Sequence, residues 1–199
     1  MVACGLRHKG FPKDMGGTVL PRYQAMIPLK DAAGAPLTAA QFKKNYKSKL
    51  RKYLGAFRPA RGLTYQSAEH TPETIARFKA ILSATESRQN IALRNEEYFA
   101  LLAEVFGQDA HFAFETCKVD TYIENLRVRY EKEPDMREKI AEQIADAQAV
   151  KEARGNEVPL AALLTVYPGK QEGLRVAEYL YAGADLSVFP SFCATLCGL

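Results

Sequence analysis

The sequence predicts a helix-rich α+β fold, with several amphipathic helices packed on a small sheet and a basic N-terminal third. Three observations predict it. Apolar residues recur at three- and four-residue spacing in segments that open on N-cap residues, the pattern of helices with one buried face. One segment, "HFAFETCKV", instead alternates over nine residues, as a half-buried strand does. Charge is divided unevenly along the chain: residues 1 to 68 hold 13 Lys or Arg against only Asp14 and Asp31, whereas residues 69 to 199 hold 14 against 21 Asp or Glu.

With 199 residues, 47% of them hydrophobic and 25% charged, the chain can bury a sizeable core, and disorder is not expected for most of it. Residues 1–17 are rich in Gly and Lys without apolar periodicity and read as a mobile basic arm. Residues 18–199 read as a single globular domain, with a basic part over 18–68 and an acidic, helix-rich part over 69–199. No run of 18 apolar residues and no secretory h-region is visible, which points to a cytoplasmic protein. Four cysteines are too sparse for a disulfide framework and are expected as free thiols.

"TVLPRYQAMIPL" has strand-like composition, but Pro21 and Pro28 limit it to an edge strand or extended segment. "KDAAGAP" is a turn. Thr38, with Gln41 three residues on, matches a capping box. Phe42, Tyr46, Leu50, Tyr53 and Phe57 then fall on one helical face, so a helix is expected to run to about Leu54 or Phe57. Thr71 and Pro72 start a second helix through "PETIARFKAIL", and Asn95 a third that ends at Gly107. "TYIENLRVRYEKEPD" fits strand and helix alike. Asp135 is expected to cap a further helix ending at Gly155, with a thin stripe of Ile140, Ile144, Ala147 and Val150. "VPLAALLTVYPG" is a buried strand or a short helix, "KQEGLRVAEYLYAG" reads as helical, and "LSVFPSFCATLCGL" is an uncharged apolar end.

The strongest chemical signal is "QFKKNYKSKLRKYLGAFRPAR", with eight Lys or Arg and no acid. Lys44, Lys47 and Arg51 would form a stripe beside the aromatic face, flanked by Lys43 and Lys52 and continued by Arg58 and Arg61. Neutralising phosphates would relieve the repulsion within such a stripe; docking on the acidic half or plain solvation would also accommodate it. On the predicted strand, a period of two places Asp109, His111, Glu115 and Cys117 on one face, a set able to hold a metal or to work as acid and base. An ordinary polar strand face explains the same pattern. His70 reads as a solvent-exposed residue just before a helix. Cys4, His8, Cys193 and Cys197 are zinc-ligand types at unconventional spacing, and no metal is expected there.

These features favour a non-enzymatic accessory or regulatory protein that binds DNA or RNA through phosphate contacts from Lys43, Lys44, Lys47, Arg51, Lys52, Arg58 and Arg61, without a cofactor. Two other readings stand beside it. One is a phosphate-handling enzyme, a nuclease or nucleotide hydrolase using Mg²⁺. The other is an inhibitor that docks on a protein partner or on the inner membrane surface through the basic face and the apolar tail, as a peripheral protein.

Overall fold

The computed structural model describes residues 26–48, 51, 62–167, 170–171 and 174–188, and the chain divides into two compact units, Met1–Lys47 and Ser48–Leu199. The expected arm over 1–17, the four zinc-ligand candidates at the termini and the tail beyond Val188 lie outside the described residues.

In the first unit the "KDAAGAP" stretch is a turn closed by a bridge between Lys30 and Pro36. The Asp31 carboxylate holds it by accepting the N–H groups of Ala33 at 3.0 Å and Ala35 at 2.9 Å. Helix α1 (Ala39–Lys44) follows, with the capping box in place: Gln41 N–H donates to the Thr38 hydroxyl and the Gln41 side chain accepts the Thr38 N–H. The helix ends at Lys44 and the chain is helical again at Ser48 and Arg51, while Leu50, Tyr53 and Phe57 of the expected apolar face lie outside the described residues. Asn45 and Tyr46 donate to carbonyls only three residues back, which tightens the chain out of the α-helix. The turn preference of Asn45 interrupts the helix at this point, and Phe42 and Tyr46 meet edge to face at 5.3 Å.

The second unit is an α+β fold built on a four-stranded antiparallel sheet in the order β1 (Leu63–Ala68), β2 (Ala110–Lys118), β3 (Glu157–Val166) and β6 (Glu178–Ala184). A two-stranded ribbon, β4 (Lys170–Gln171) with β5 (Leu174–Arg175), lies between β3 and β6 in the chain. Helices α2 (Pro72–Gln89) and α3 (Glu96–Phe106) begin on the expected caps, Thr71 and Asn95, whose side chains accept the N–H groups of Thr74 and Tyr98. They cover one sheet face. Ile75, Phe78 and Leu82 from α2 and Phe99 and Leu102 from α3 pack on Phe112, Phe114, Ala162 and Leu164. Burying this much apolar surface is the main stabilising contribution on that side, at about 25 cal/mol per Å².

Among the described residues, the opposite face is covered at one end only. Helices α4 (Val119–Lys132) and α5 (Arg137–Arg154) bring Tyr122, Ile123, Leu126, Ile140 and Ala147 onto Leu63, Cys117, Val158 and Leu160. The ambiguous "TYIENLRVRYEK" is thus helical, because Tyr122, Ile123 and Leu126 find a core to enter. Gly62 makes that approach possible: at φ +81°, a Cβ there would stand 2.5 Å from the Lys118 carbonyl oxygen. The pairing of β2 with β3 shifts register between Glu115 and Thr116, where the helix-covered part begins, and continues to Lys118.

Two expected elements are corrected. Asp135 does not cap α5; a 3₁₀ turn (Pro134–Met136) precedes the helix and Met136 occupies the cap position without a side-chain bond. "KQEGLRVAEYLYAG" is not helical but forms β4, β5 and β6. Its Tyr179 and Tyr181 lie opposite Thr165 and Leu164 across a register shift, and Gly183 lets α2 approach to 3.0 Å of its missing Cβ at Leu82. Pairing with β3 therefore overrides a pattern that also suits a helix.

Candidate functional site

The uncovered end of the sheet carries a cavity of about 260 Å³. Glu115 on β2 lines it, beside Ala113 on its own strand and opposite Tyr65 on β1 and Ala161 on β3. Strand alternation explains the set, since paired residues of an antiparallel sheet share a face. The cavity continues past Tyr179 and Ala182 on β6 to the last turn of α2, where Thr85, Arg88 and Gln89 line it. That turn is fixed to the strand. The Thr85 hydroxyl accepts the Ala184 N–H at 2.9 Å, and Arg88 Nη1 donates to the Ala184 carbonyl at 3.2 Å.

Glu115 is 6% exposed, and its Oε1 is buried with no hydrogen-bond partner among the described residues. Burial without a compensating donor or cation disfavours the carboxylate and pushes its pKa from 4.5 up to about 7. A carboxyl group in that range exchanges its proton near neutrality, which an ordinary surface glutamate does not. Desolvation also pushes up the hydroxyls of Tyr65 and Tyr179, so both remain neutral phenols while much of each ring is exposed.

The other expected acid and base residues do not join Glu115. Asp109 is outside the strand, in the 3₁₀ turn Gly107–Asp109, and its carbonyl accepts the Tyr167 N–H. His111 shares the face of Glu115 but lies four residues along the strand, a separation of about 13 Å at 3.3 Å per residue. There it is exposed and meets the Tyr167 ring at 5.2 Å. Cys117 is buried in the core with Leu63 and Val158. His70 is not simply solvated: its Nε2 donates to the Ala110 carbonyl at 2.8 Å and its ring packs edge-on against Phe112. Among the described residues no group of three His, Cys, Asp or Glu could hold a metal ion.

Of the basic residues, Lys43 and Lys44 form the last turn of α1 and Lys47 follows it, all exposed, as is Arg51. Lys52, Arg58 and Arg61 lie outside the described residues. Lys44 ends α1, Lys47 lies in the break that follows it, and Arg51 is helical in the second unit. Sequence reasoning missed Tyr65, Arg88 and Tyr179. They come from three separate elements, and no local motif connects them. No helix among the described residues is long and apolar enough to cross a membrane.

The model of the FemAB family matches residues 1–145. A crystal structure of FemX aligns with a TM-score of 0.49 and 16% sequence identity, over 78% of this chain and 45% of that one. The chain thus spans less than half the length of that solved protein. No curated protein matches it. The family match overturns the expectation of a non-enzymatic nucleic-acid-binding regulator, and with it the nuclease, nucleotide hydrolase and inhibitor readings.

Proposed function

The chain belongs to the FemAB family, and from that premise we propose that it serves an aminoacyl transferase of peptidoglycan cross-bridge synthesis, with aminoacyl-tRNA as donor and a cell-wall precursor as acceptor. The observation that carries this reading is the family match over residues 1–145, which includes the basic first third and continues through β2 into α5. Transfer of this kind breaks the ester bond between amino acid and tRNA and forms an amide on the acceptor. The attacking amine loses a proton and the released ribose hydroxyl gains one, so the reaction needs positioning and proton exchange rather than redox chemistry. Nucleic acid enters this reading as a substrate whose backbone stays intact.

Mass spectrometry of the acceptor checks it. A cell-wall precursor incubated with the protein and aminoacyl-tRNA is expected to gain the mass of an amino acid residue, and to gain nothing with uncharged tRNA. The tRNA should keep its length on a denaturing gel. A shortened tRNA with an unmodified precursor would contradict the proposal.

A further inference from the structure

We propose that the described part of the first unit is a docking surface for an anionic lipid bilayer, its aliphatic side chains entering the lipid interface and its lysines meeting the phosphates. The inference rests on residues 26–47 alone and goes beyond the transfer reading. No residue of that stretch is buried, although it holds Met26, Ile27, Leu29, Leu37, Phe42 and Tyr46. Met26 is 69% exposed, Ile27 60% and Leu29 58%. Three large aliphatic side chains within four residues thus keep most of their surface in water, a cost that contact with an apolar phase removes.

Charge decides which apolar phase. The stretch carries Lys30, Lys43, Lys44 and Lys47 against Asp31 alone. The Asp31 carboxylate is taken by N–H groups of its own turn, and no ion pair among the described residues includes any of the four lysines. Leu37 N–H donates to the Leu29 carbonyl at 2.9 Å, which joins the aliphatic segment to the start of α1. That helix has six residues and is about 9 Å long at 1.5 Å per residue, so Lys43 and Lys44 stay close to the segment. Aliphatic side chains beside lysines hold peripheral proteins on anionic membranes, where neither part suffices alone. A nucleic acid would use the lysines but offers Met26, Ile27 and Leu29 no apolar phase. Its bases stack on aromatic rings, and here Phe42 and Tyr46 are partly buried and meet each other.

The test sediments the full chain with phosphatidylcholine vesicles that contain either no anionic lipid or about 30% phosphatidylglycerol. Binding to the anionic vesicles is expected to be at least tenfold tighter. Changing Lys43, Lys44 and Lys47 together to Gln should weaken it by about fivefold per lysine, about 100-fold in all. Changing Met26, Ile27 and Leu29 together to Ser should weaken it at least tenfold while the charge stays the same. Equal binding to the two kinds of vesicle, or to neither, overturns the proposal. So does an aliphatic triple variant that binds anionic vesicles as the wild type does, which would leave a purely electrostatic surface of the kind a nucleic acid shares. The comparison of lipids is made on the wild-type chain and does not depend on a variant folding. No tRNA or precursor is present, so a failure here is separate from a failure of the transfer reading.

Discussion

Replacing Glu115 by Gln is expected to raise the stability of the second unit by about 2 kcal/mol at pH 8 and to lower it by about 1 kcal/mol at pH 4. The native pKa of about 7 lies above the ordinary value of 4.5, so between these pH values the folded chain holds a proton that the unfolded chain has lost. Stability from this group therefore falls as pH rises from about 4.5 and levels off above about 7, a penalty of about 3 kcal/mol in all. Below 4.5 both states are protonated and the penalty is absent. Gln removes the charge but leaves an amide in the same poorly partnered place, which takes back about 1 kcal/mol of the gain. Urea unfolding at the two pH values measures it. An equal effect at pH 4 and pH 8 would show that Glu115 is not held in its neutral form.

A larger loss is expected from Phe78→Ala, about 3–5 kcal/mol of unfolding free energy. Phe78 is fully buried and joins three elements: its ring meets Phe99 of α3 and Phe112 of β2 edge to face, each at 5.1 Å. Alanine removes the apolar surface of the ring and leaves a cavity that the fixed positions of α3 and β2 prevent from closing. Each lost aromatic pair adds about 0.5–1.5 kcal/mol beyond burial. Urea denaturation is again the measurement, and a loss below about 1 kcal/mol would mean that α2 and α3 are not held to the sheet through this ring.

The elements most legible in the sequence are those whose signals are local. Thr71 with Pro72, and Asn95 with Glu96 and Glu97, mark helix starts by chemistry confined to four residues, and both helices begin where those residues indicate. β2 is visible from its own alternation. β6 is not, because its identity as a strand depends on β3, which lies about 20 residues earlier in the chain. The basic helix is legible at its start, which is local, while the break at Asn45 is not signalled by its apolar repeat.

The site is legible only in part. Alternation correctly puts Glu115 on the same face as His111 and Cys117, yet it treats the three as equivalent. Their environments differ because of residues far away in the chain: α4 and α5 bury Cys117, Tyr167 borders His111 in the open, and the small side chains of Ala113 and Ala161 leave room beside Glu115. What makes Glu115 unusual is the absence of a partner for its Oε1 among the described residues, a property of packing that no spacing of letters encodes.

Membership of the FemAB family makes aminoacyl transfer the activity to measure, and a radiolabelled amino acid carried on tRNA measures it without intermediate steps. The full chain is mixed with tRNA charged with the labelled amino acid and an unlabelled cell-wall precursor, and label is counted in the precursor after alkaline cleavage of any remaining aminoacyl ester. Alkali-stable label is expected that requires the protein and disappears when the tRNA is digested beforehand. Label no higher than in the protein-free control, from a chain whose near-UV circular dichroism shows an ordered aromatic core, would contradict the transfer reading.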